Sequence, residues 1–422
     1  MHLSTHPTQS KSSQKWLLLV LGMLTNTLVS AAPMMCLPVL FPEIAADLNL
    51  SLVQLGMVWG ISSLPGIVTM LLGGAVGDHF GPKRILVISC LLVGLTGALR
   101  GTAGGFASLA AAMFLFGMFA PFITLNTFKA VGMRFPPHQL GFASGVLSMG
   151  MALGFLLSSM FSATLLSPLL GGWRNVVYFY GAVSLLFAVP WFFTQAEPAG
   201  QKDAASAPVA QAAAGFRFAL QSLRNNLGKM LRIRNLWLYG LVIFGFGGCV
   251  QGALGYLPLY LRGQGWAETS ADGALAMFHT VSMIAVIPIA LLSDRLRTRK
   301  KILVIAALMM ALGVGVLSAV DGILVWAAVI FAGIVRDGFM AVFMTQIMET
   351  EGVGPAYAGT AVGMVFMFSG VGNLLAPPVG NSLASISPGA PFLFWAALAI
   401  LGLAGLVLAA ERRPQPALGL EV

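Results

Sequence analysis

Long apolar stretches follow one another along almost the whole chain, and they limit the possible folds more than any other feature. A helix that crosses a lipid bilayer needs about 20 mostly apolar residues. Twelve stretches meet that requirement: 16–41, 53–76, 85–103, 107–131, 141–166, 174–195, 236–261, 272–292, 302–320, 322–346, 357–384 and 391–410. They do not alternate between apolar and polar residues, which excludes the strands of a membrane barrel. The sequence therefore predicts an all-α membrane protein with twelve transmembrane helices.

The composition indicates that lipid surrounds most of the chain. Of its 422 residues, 58% are hydrophobic and 9% are charged, whereas soluble proteins carry about 25% charged residues. The net charge of +9 comes from basic residues in short clusters between the apolar stretches, a distribution typical of membrane proteins. We therefore expect the lipid bilayer as a partner, and no nucleic acid.

The sequence lacks the residue patterns of several enzyme classes. It has no GxxxxGK[ST] loop for ATP, no HExxH pair and no Cys/His set at metal-ligand spacing. Its three cysteines lie inside apolar stretches, where they are expected as small core residues. We expect no enzymatic activity, no cofactor and no metal.

The Lys and Arg residues indicate how the helices are oriented. With both termini in the cytoplasm, 18 of the 23 Lys and Arg residues lie in cytoplasmic segments, as the positive-inside rule requires. The first apolar stretch, 16–41, is too long for a signal peptide and is expected to remain as the first span. The sequence predicts a monomeric protein of a bacterial inner membrane, with both ends cytoplasmic.

The longest break between apolar stretches divides the chain into three parts. We predict an N-terminal six-helix half over 1–196, a cytoplasmic linker over 197–234 and a C-terminal six-helix half over 235–422. The linker begins as an Ala/Pro-rich stretch and continues as FRFALQSLRNNLGKMLRIRN. This second segment is either an amphipathic helix on the inner membrane surface or a plain basic connector.

The two halves repeat each other in sequence. GFASGVLSMGMALGFLL, from Gly141, matches GTAVGMVFMFSGVGNLL, from Gly359, at an offset of 218 residues. The shared glycine and alanine positions predict helix faces that approach a neighbour closely. Asp78 and Asp294 likewise each precede a basic cluster at the end of an even-numbered span. We therefore expect two pseudo-symmetric halves.

The stretch GAVGDHFGPKRIL, from Gly74 to Leu86, resembles the signature between helices 2 and 3 of the major facilitator superfamily. His79 stands where the signature has an arginine, and a second copy, SDRLRTRKKIL, keeps Asp294 and Arg295. The resemblance covers nearly the whole chain and implies two six-helix bundles that transport a solute by alternating access. The positions that match the signature are Gly74, Asp78, Gly81, Lys83 and Arg84.

In such a fold the signature is expected to hold the cytoplasmic side closed. Gly81 permits a tight turn between two antiparallel helices. Asp78 can meet the positive N-terminus of a helix from the other half. Lys83 and Arg84 can pair with neighbouring carboxylates. The plainer alternative is a turn that carries positive-inside charge.

The resemblance also implies that helices 1, 4, 7 and 10 line a central cavity. An amide in a membrane helix can instead bond a neighbouring helix. A lysine near a helix end can extend to the interface. The candidate substrate ligands on these helices are Asn26, Asn126, Lys129, Gln251 and Arg336.

Arg336 and Asp337 are two charges side by side near the middle of the stretch 322–346. Because adjacent residues are about 100° apart around a helix, we expect different partners for them. The apolar surroundings of Arg336 suit a planar organic anion, and the alternative is a structural bond between helices. The matching first-half stretch, 118–121, is uncharged. The residues on the same side of the helix as Arg336 are Phe339, Met340 and Phe343.

Two residues are candidates for proton coupling. Asp337 is the only carboxylate predicted near the middle of the membrane, and removal from water favours the neutral form of a carboxyl group. His279, in the eighth span, is the second candidate because a histidine changes charge near neutral pH. The alternative for His279 is a packed neutral ring.

These features predict a secondary transporter of a small organic solute, an anion, driven by its own gradient or by protons. The stretch FKAVGMRFPPHQLGFASGV loosely resembles the members that carry cyanate or nitrate. One alternative is an exporter of drugs or cationic amphiphiles with Asp337 as the cation site, although GMALGFLLSSMF lacks the Gly-Pro of the family's antiporter signature. The other alternative is a non-transporting receptor on the same fold.

Overall fold

The computed structural model describes residues 8–69, 80–194, 228–296 and 298–409. Over these residues the chain consists of helices and short turns, with no β-strand. The predicted all-α class is confirmed. Most of the predicted linker, up to residue 227, lies outside the described residues.

Twelve long helices follow one another in the described part of the chain. Eleven of them are long and apolar enough to cross a membrane. The remaining one, α9, begins with three consecutive basic residues. The prediction of twelve helices is confirmed, although the second predicted stretch, 53–76, continues past the described residues. The helices are α1 Gln14–Leu48, α2 Leu52–Thr69, α3 Pro82–Thr102, α4 Phe106–Gly132, α5 Leu140–Leu170, α6 Trp173–Phe193, α7 Arg234–Gly263, α8 Glu268–Leu296, α9 Arg299–Val316, α10 Ile323–Met348, α11 Tyr357–Ser385 and α12 Ala390–Leu408.

Successive helices run in opposite directions, so the helix ends lie on two opposite faces of the bundle. The terminal face is the one at which α1 and α7 begin and α12 ends. The distal face holds the connections that follow odd-numbered helices. Ion pairs connect helix ends at the distal face. Arg174 of α6 pairs with Asp47 of α1 at 2.9 Å, and Arg262 of α7 pairs with the fully buried Asp272 of α8 at 2.8 Å.

The sequence repeat has a structural counterpart at one pair of glycines. A Cβ on Gly154 of α5 would clash with the backbone of Thr27 in α1. A Cβ on Gly372 of α11 would clash in the same way with the backbone of Phe244 in α7. The predicted close approach is confirmed for this pair. It is wrong for Gly141, Gly145 and Gly359, which have open space around them because they lie near the terminal ends of their helices.

Two helix pairs, α2 with α11 and α5 with α8, form the largest contacts between the two halves. At the glycine seam, formed by Gly56 and Gly60 of α2 and Leu374 and Pro377 of α11, the backbones touch. A Cβ on Gly60 would lie 2.5 Å from the Leu374 carbonyl oxygen, and one on Gly56 would lie 2.8 Å from the Pro377 carbonyl carbon. This seam therefore depends on residues without side chains.

Side chains form the other contact between the halves, the aromatic seam of Phe155 in α5 and His279 in α8. The two rings lie 5.2 Å apart at their centroids. Closer to the distal face, Asn381 of α11 donates to the Leu52 carbonyl at 2.7 Å, and Trp59 donates to the Gln251 carbonyl at 2.9 Å. These contacts join the halves between the distal face and the middle of the bundle.

The residues of the predicted gate signature are only partly described, since Gly74 and Asp78 lie outside the described residues. Gly81 directly precedes α3 with φ +79°, a backbone conformation that favours glycine. Lys83 lies over the ring of Phe192 at 5.9 Å, and Arg84 also interacts within the protein. The gate role of these residues stays a prediction.

In the second copy, the carboxylate of Asp294 lies 3.6 Å from Arg299, which also pairs with Glu349 at 2.9 Å. Arg295 lies in the last turn of α8. These ion pairs join α8, α9 and the end of α10 at the terminal face. They strengthen the C-terminal half itself.

Candidate functional site

Arg336 and Asp337 form an ion pair near the middle of α10. Nη1 of Arg336 lies 2.8 Å from Oδ1 of Asp337, and the two side chains are 20% and 28% exposed. The prediction that they have different partners is wrong. The two side chains do leave the helix in directions about 100° apart. The arginine side chain, however, is long enough to turn back to its neighbour. Two unpaired charges at this depth would cost more than a bent side chain does.

An aromatic ring from the other half of the protein lies beside this ion pair. The guanidinium carbon of Arg336 lies 5.4 Å from the ring centroid of Phe155 in α5, within the range of a cation–π contact. Phe339 and Phe343 do not take this role. Both are fully buried, and Phe339 stacks on Phe246 of α7 at 3.7 Å. The predicted aromatic flank of Arg336 therefore exists, but α5 supplies it.

Small residues on α10 let α8 approach the ion pair. A Cβ on Gly333 would lie 2.8 Å from the Phe278 carbonyl oxygen, and one on Gly338 would lie 2.7 Å from the side chain of Ile289. The close approach allows Ser282 of α8 to accept a hydrogen bond at 3.1 Å from the backbone N–H of Asp337. The position of the ion pair is thus set by packing of α10 on α8.

His279 lies one helical turn before Ser282 on α8, and it is 1% exposed. Its ring is in contact with Phe155 and, edge-on at 5.7 Å, with Phe278. Neither ring nitrogen has a hydrogen-bond partner among the described residues. The structure therefore brings His279 together with Arg336 and Asp337 around one phenylalanine.

Two of the four predicted polar ligands, Asn26 and Asn126, are buried in the N-terminal half. Asn26 donates to the Leu147 carbonyl at 3.2 Å and accepts from Thr127 at 2.9 Å, so its amide joins α1 to α4 and α5. Asn126 donates to the Phe122 carbonyl at 2.9 Å. Its Oδ1 is buried and has no partner among the described residues.

The other two predicted polar ligands, Gln251 and Lys129, differ in depth. Gln251 of α7 is 9% exposed, and its Nε2 has no partner in the described part of the chain. Nearby on α11, Oδ1 of Asn373 also lacks a partner there. It faces Gly247, one turn before Gln251, where an added Cβ would lie 3.1 Å from it. Lys129 lies in the last turn of α4, near the terminal face, and interacts within the protein.

The family of the chain follows from its similarity to known proteins. The sequence model described as Major Facilitator Superfamily matches residues 23–351. The chain belongs to the Major Facilitator Superfamily. The resemblance seen in its sequence is confirmed, and the protein is an integral membrane transporter.

Curated relatives within the superfamily match almost the whole chain. The probable sulfoacetate transporter of Cupriavidus necator is 26% identical over 384 residues, which cover 86% of this chain and 86% of that protein. The cis,cis-muconate transport protein of Acinetobacter baylyi is 25% identical over 390 residues, covering 88% and 89%. The 3-(3-hydroxy-phenyl)propionate transporter of Escherichia coli is 27% identical over 441 aligned residues, covering 98% and 99%.

The fold has close structural counterparts. A crystal structure of a nucleoside transporter superposes with a TM-score of 0.74 at 14% identity, covering 93% of this chain and 100% of that one. At that identity the likeness concerns the fold alone. It agrees with the two-half architecture of the superfamily.

Phe155, Ser282 and Asn373 were missed by sequence reasoning. None is charged, and a phenylalanine in an apolar membrane helix gives no signal of its own. The repeat does distinguish two of these positions, because the offset of 218 residues pairs the apolar Phe155 with the polar Asn373.

Proposed function

We propose that this superfamily member transports small organic anions and that Arg336 is the ligand of the anionic group. The observation that carries this proposal is the ion pair itself. Among the described residues, Arg336 makes one hydrogen bond, to Asp337, whereas a guanidinium has five N–H donors. A carboxylate or sulfonate can bind the remaining donors in a bidentate arrangement. A partly exposed arginine at mid-membrane depth is expected to face a water-filled cavity.

The names of the relatives support this class of solute. Sulfoacetate, cis,cis-muconate and 3-(3-hydroxy-phenyl)propionate all carry a carboxylate group. They differ in length and in the presence of an aromatic ring, so they do not narrow the solute further. The shared anionic group is what an arginine would bind.

We propose that Asp337 couples the anion to a proton. In the structure the carboxylate of Asp337 pairs with the guanidinium of Arg336. It would therefore compete with the anionic group of the solute for the same arginine. An incoming anion places a second negative charge beside Asp337, and like charges at this distance favour a proton on one of them. At the level of the ion pair, His279 is the other titratable group on a described helix packed against α10. It remains a second candidate for the coupling.

The remaining predicted ligands are ranked by their geometry. Gln251 and Asn126 each keep a buried polar atom without a partner among the described residues, and we propose them as secondary contacts of the solute. Asn26 is fully engaged with neighbouring helices, so a contact to the solute requires it to exchange partners. Lys129 would act near the terminal face, where it attracts anions into the cavity.

We further propose that the terminal face is cytoplasmic and that the protein is a monomer of a bacterial inner membrane. The basic residues Lys300 and Arg299 lie at this face, as the positive-inside rule expects. The contacts between the halves then close the outer side, and the solute would be released to or bound from the cytoplasm. The signature around Gly81 would act when the cytoplasmic side closes.

Uptake by the purified protein in lipid vesicles tests the proposed function. The solutes are sulfoacetate, cis,cis-muconate, 3-(3-hydroxy-phenyl)propionate and the lipophilic cation tetraphenylphosphonium, each with and without a pH gradient. We expect uptake of at least one anion, and its loss in Arg336→Lys, which keeps the charge but not the fork geometry. Arg234→Lys, at the exposed start of α7, is the matched control. Transport of the cation alone would favour the exporter instead.

A further inference from the structure

His279 is buried without hydrogen bonds, which is unusual for a polar side chain. Its ring is 1% exposed, and both nitrogens lack a partner in the described residues. A buried donor or acceptor that is left unpaired destabilises the folded state. Native proteins carry few such groups, and each one calls for an explanation.

Local packing does not explain the histidine. The neighbouring polar residues of α8 are satisfied in place: Thr280 donates to the Ala276 carbonyl at 2.8 Å, and Ser282 accepts from Asp337. The rings that touch His279 belong to Phe155 and Phe278. An apolar residue would fill this space at lower cost, so the imidazole has a role that this arrangement of the two halves does not show.

The position of His279 relative to Arg336 suggests that role. Both groups touch the ring of Phe155, at 5.2 Å for His279 and 5.4 Å for Arg336. The sum of these distances is the upper limit of their separation, and a solute of a few carbon atoms can bridge it. Phe155 belongs to α5 of one half and His279 to α8 of the other, so a movement of the halves that opens the aromatic seam would uncover the nitrogens.

We propose that His279 binds a second polar group of the solute, so that the preferred substrates are organic anions with a hydroxyl or a second acidic group a few carbons from the first. Arg336 holds the anionic group, and the hydrocarbon part lies against Phe155. The inference rests on the proposed function, because it takes Arg336 as the anion ligand. It deepens that function by specifying the class of substrate.

Three anions of equal length test the proposal: hexanoate, 6-hydroxyhexanoate and adipate. Their affinities are measured by calorimetry on the purified protein and on His279→Phe, His279→Gln and Ser293→Ala. Ser293 is also buried on α8, and its hydroxyl oxygen has no partner among the described residues, but it lies about four helical turns away. It is therefore the matched control for loss of a buried polar group.

The wild-type protein is expected to bind 6-hydroxyhexanoate and adipate about tenfold or more tightly than hexanoate. His279→Phe is expected to bind all three alike, with hexanoate affinity and thermal stability no lower than in the wild type. His279→Gln keeps an N–H donor and should retain part of the preference, and Ser293→Ala should retain all of it.

Three results would overturn the inference and leave the proposed function intact. The first is wild-type binding of the three anions with equal affinity. The second is an unchanged preference in His279→Phe. The third is a uniform loss of binding in that variant together with a lower unfolding temperature, which would mark a structural histidine. If the wild-type protein binds none of the three anions, nor the anions of the uptake panel, the proposed function falls and this inference falls with it.

Discussion

The glycine seam and the aromatic seam are related to each other by the pseudo-symmetry of the two halves. Backbone atoms form the glycine seam, whereas side chains form the aromatic seam. In the glycine seam the backbones of α2 and α11 touch at Gly56 and Gly60. In the aromatic seam of α5 and α8, the rings of Phe155 and His279 meet beside Arg336. The repeat pairs Phe155 with Asn373, so the symmetry of the backbone coexists with a clear asymmetry of chemistry.

This difference suggests a division of labour between the two seams. Backbone contact through glycines allows close packing that two side chains could not reach, which suits a joint that opens and closes. A seam of rings next to an ion pair suits recognition of a solute. If the division is correct, changes in the glycine seam should alter the rate of transport, and changes near the aromatic seam should alter binding.

Exchange of the two charges in α10 should have the largest effect. The double variant Arg336→Asp, Asp337→Arg keeps an ion pair between neighbours but turns the guanidinium about 100° around the helix, away from Phe155. We expect anion affinity to fall by at least about 100-fold, with little change in thermal unfolding. Calorimetric titration and a thermal melt measure the two quantities. Retained affinity would mean that any mid-membrane arginine is sufficient.

A side chain in the glycine seam should have the next largest effect. A Cβ on Gly60 would lie 2.5 Å from the Leu374 carbonyl oxygen, so Gly60→Val should keep the distal side from closing. We expect uptake to slow by about tenfold or more while equilibrium anion affinity stays near the wild-type value. A barrier increase of about 1.4 kcal/mol corresponds to such a change.

The control for this variant lies on the same helix. Gly66 has no atom within 4 Å of an added Cβ, so Gly66→Ala should transport normally. The contrary result is that Gly60→Val loses anion affinity and that its uptake rate falls by the same factor. The glycine seam would then contribute to binding, and the two seams would not differ in function.

Removal of the ring in the aromatic seam should have the smallest effect. Phe155→Leu keeps an apolar side chain but loses the cation–π contact with Arg336. Because such contacts contribute about 0.5–1 kcal/mol where the cation is partly exposed, as Arg336 is, anion affinity should fall by roughly twofold to fivefold. Phe142→Leu, at a position of α5 that is 60% exposed, is the control. An equal decrease in both variants would point to a general effect on α5.

Much of the fold follows from the sequence because lipid imposes strict rules on it. Twelve apolar stretches, the offset between matching halves and a glycine-type backbone conformation at Gly81 were each predictable, since helix length and backbone conformation are local properties. The partial failure of the glycine prediction has a local reason too. Gly154 and Gly372 lie deep in the bundle, whereas Gly141 and Gly359 lie near helix ends, and the repeat alone does not distinguish them.

The site was less predictable because it depends on contacts between distant helices. Arg336 and Asp337 stood out because charges are scarce in the apolar stretches. Their predicted partners were wrong, because helix geometry gives the direction in which a side chain leaves the helix but not how far an arginine can reach. Phe155 lies 181 positions from Arg336 in the sequence, and nothing in its own surroundings marks it. His279 was identified as titratable, but its lack of partners is visible only in three dimensions.

The central claim is that the anionic group of a solute replaces Asp337 as the partner of Arg336. The number of protons taken up with each bound anion tests it most directly. Calorimetric titration of the transported anion, repeated in buffers with different ionisation enthalpies, gives this number for the wild type and for Asp337→Asn. We predict uptake of about one proton per anion in the wild type over the pH range of coupled transport, with affinity rising as pH falls because protonated Asp337 no longer competes for Arg336. In Asp337→Asn the count should be zero and the affinity independent of pH. Zero protons in the wild type, or an unchanged count in the variant, would contradict the account.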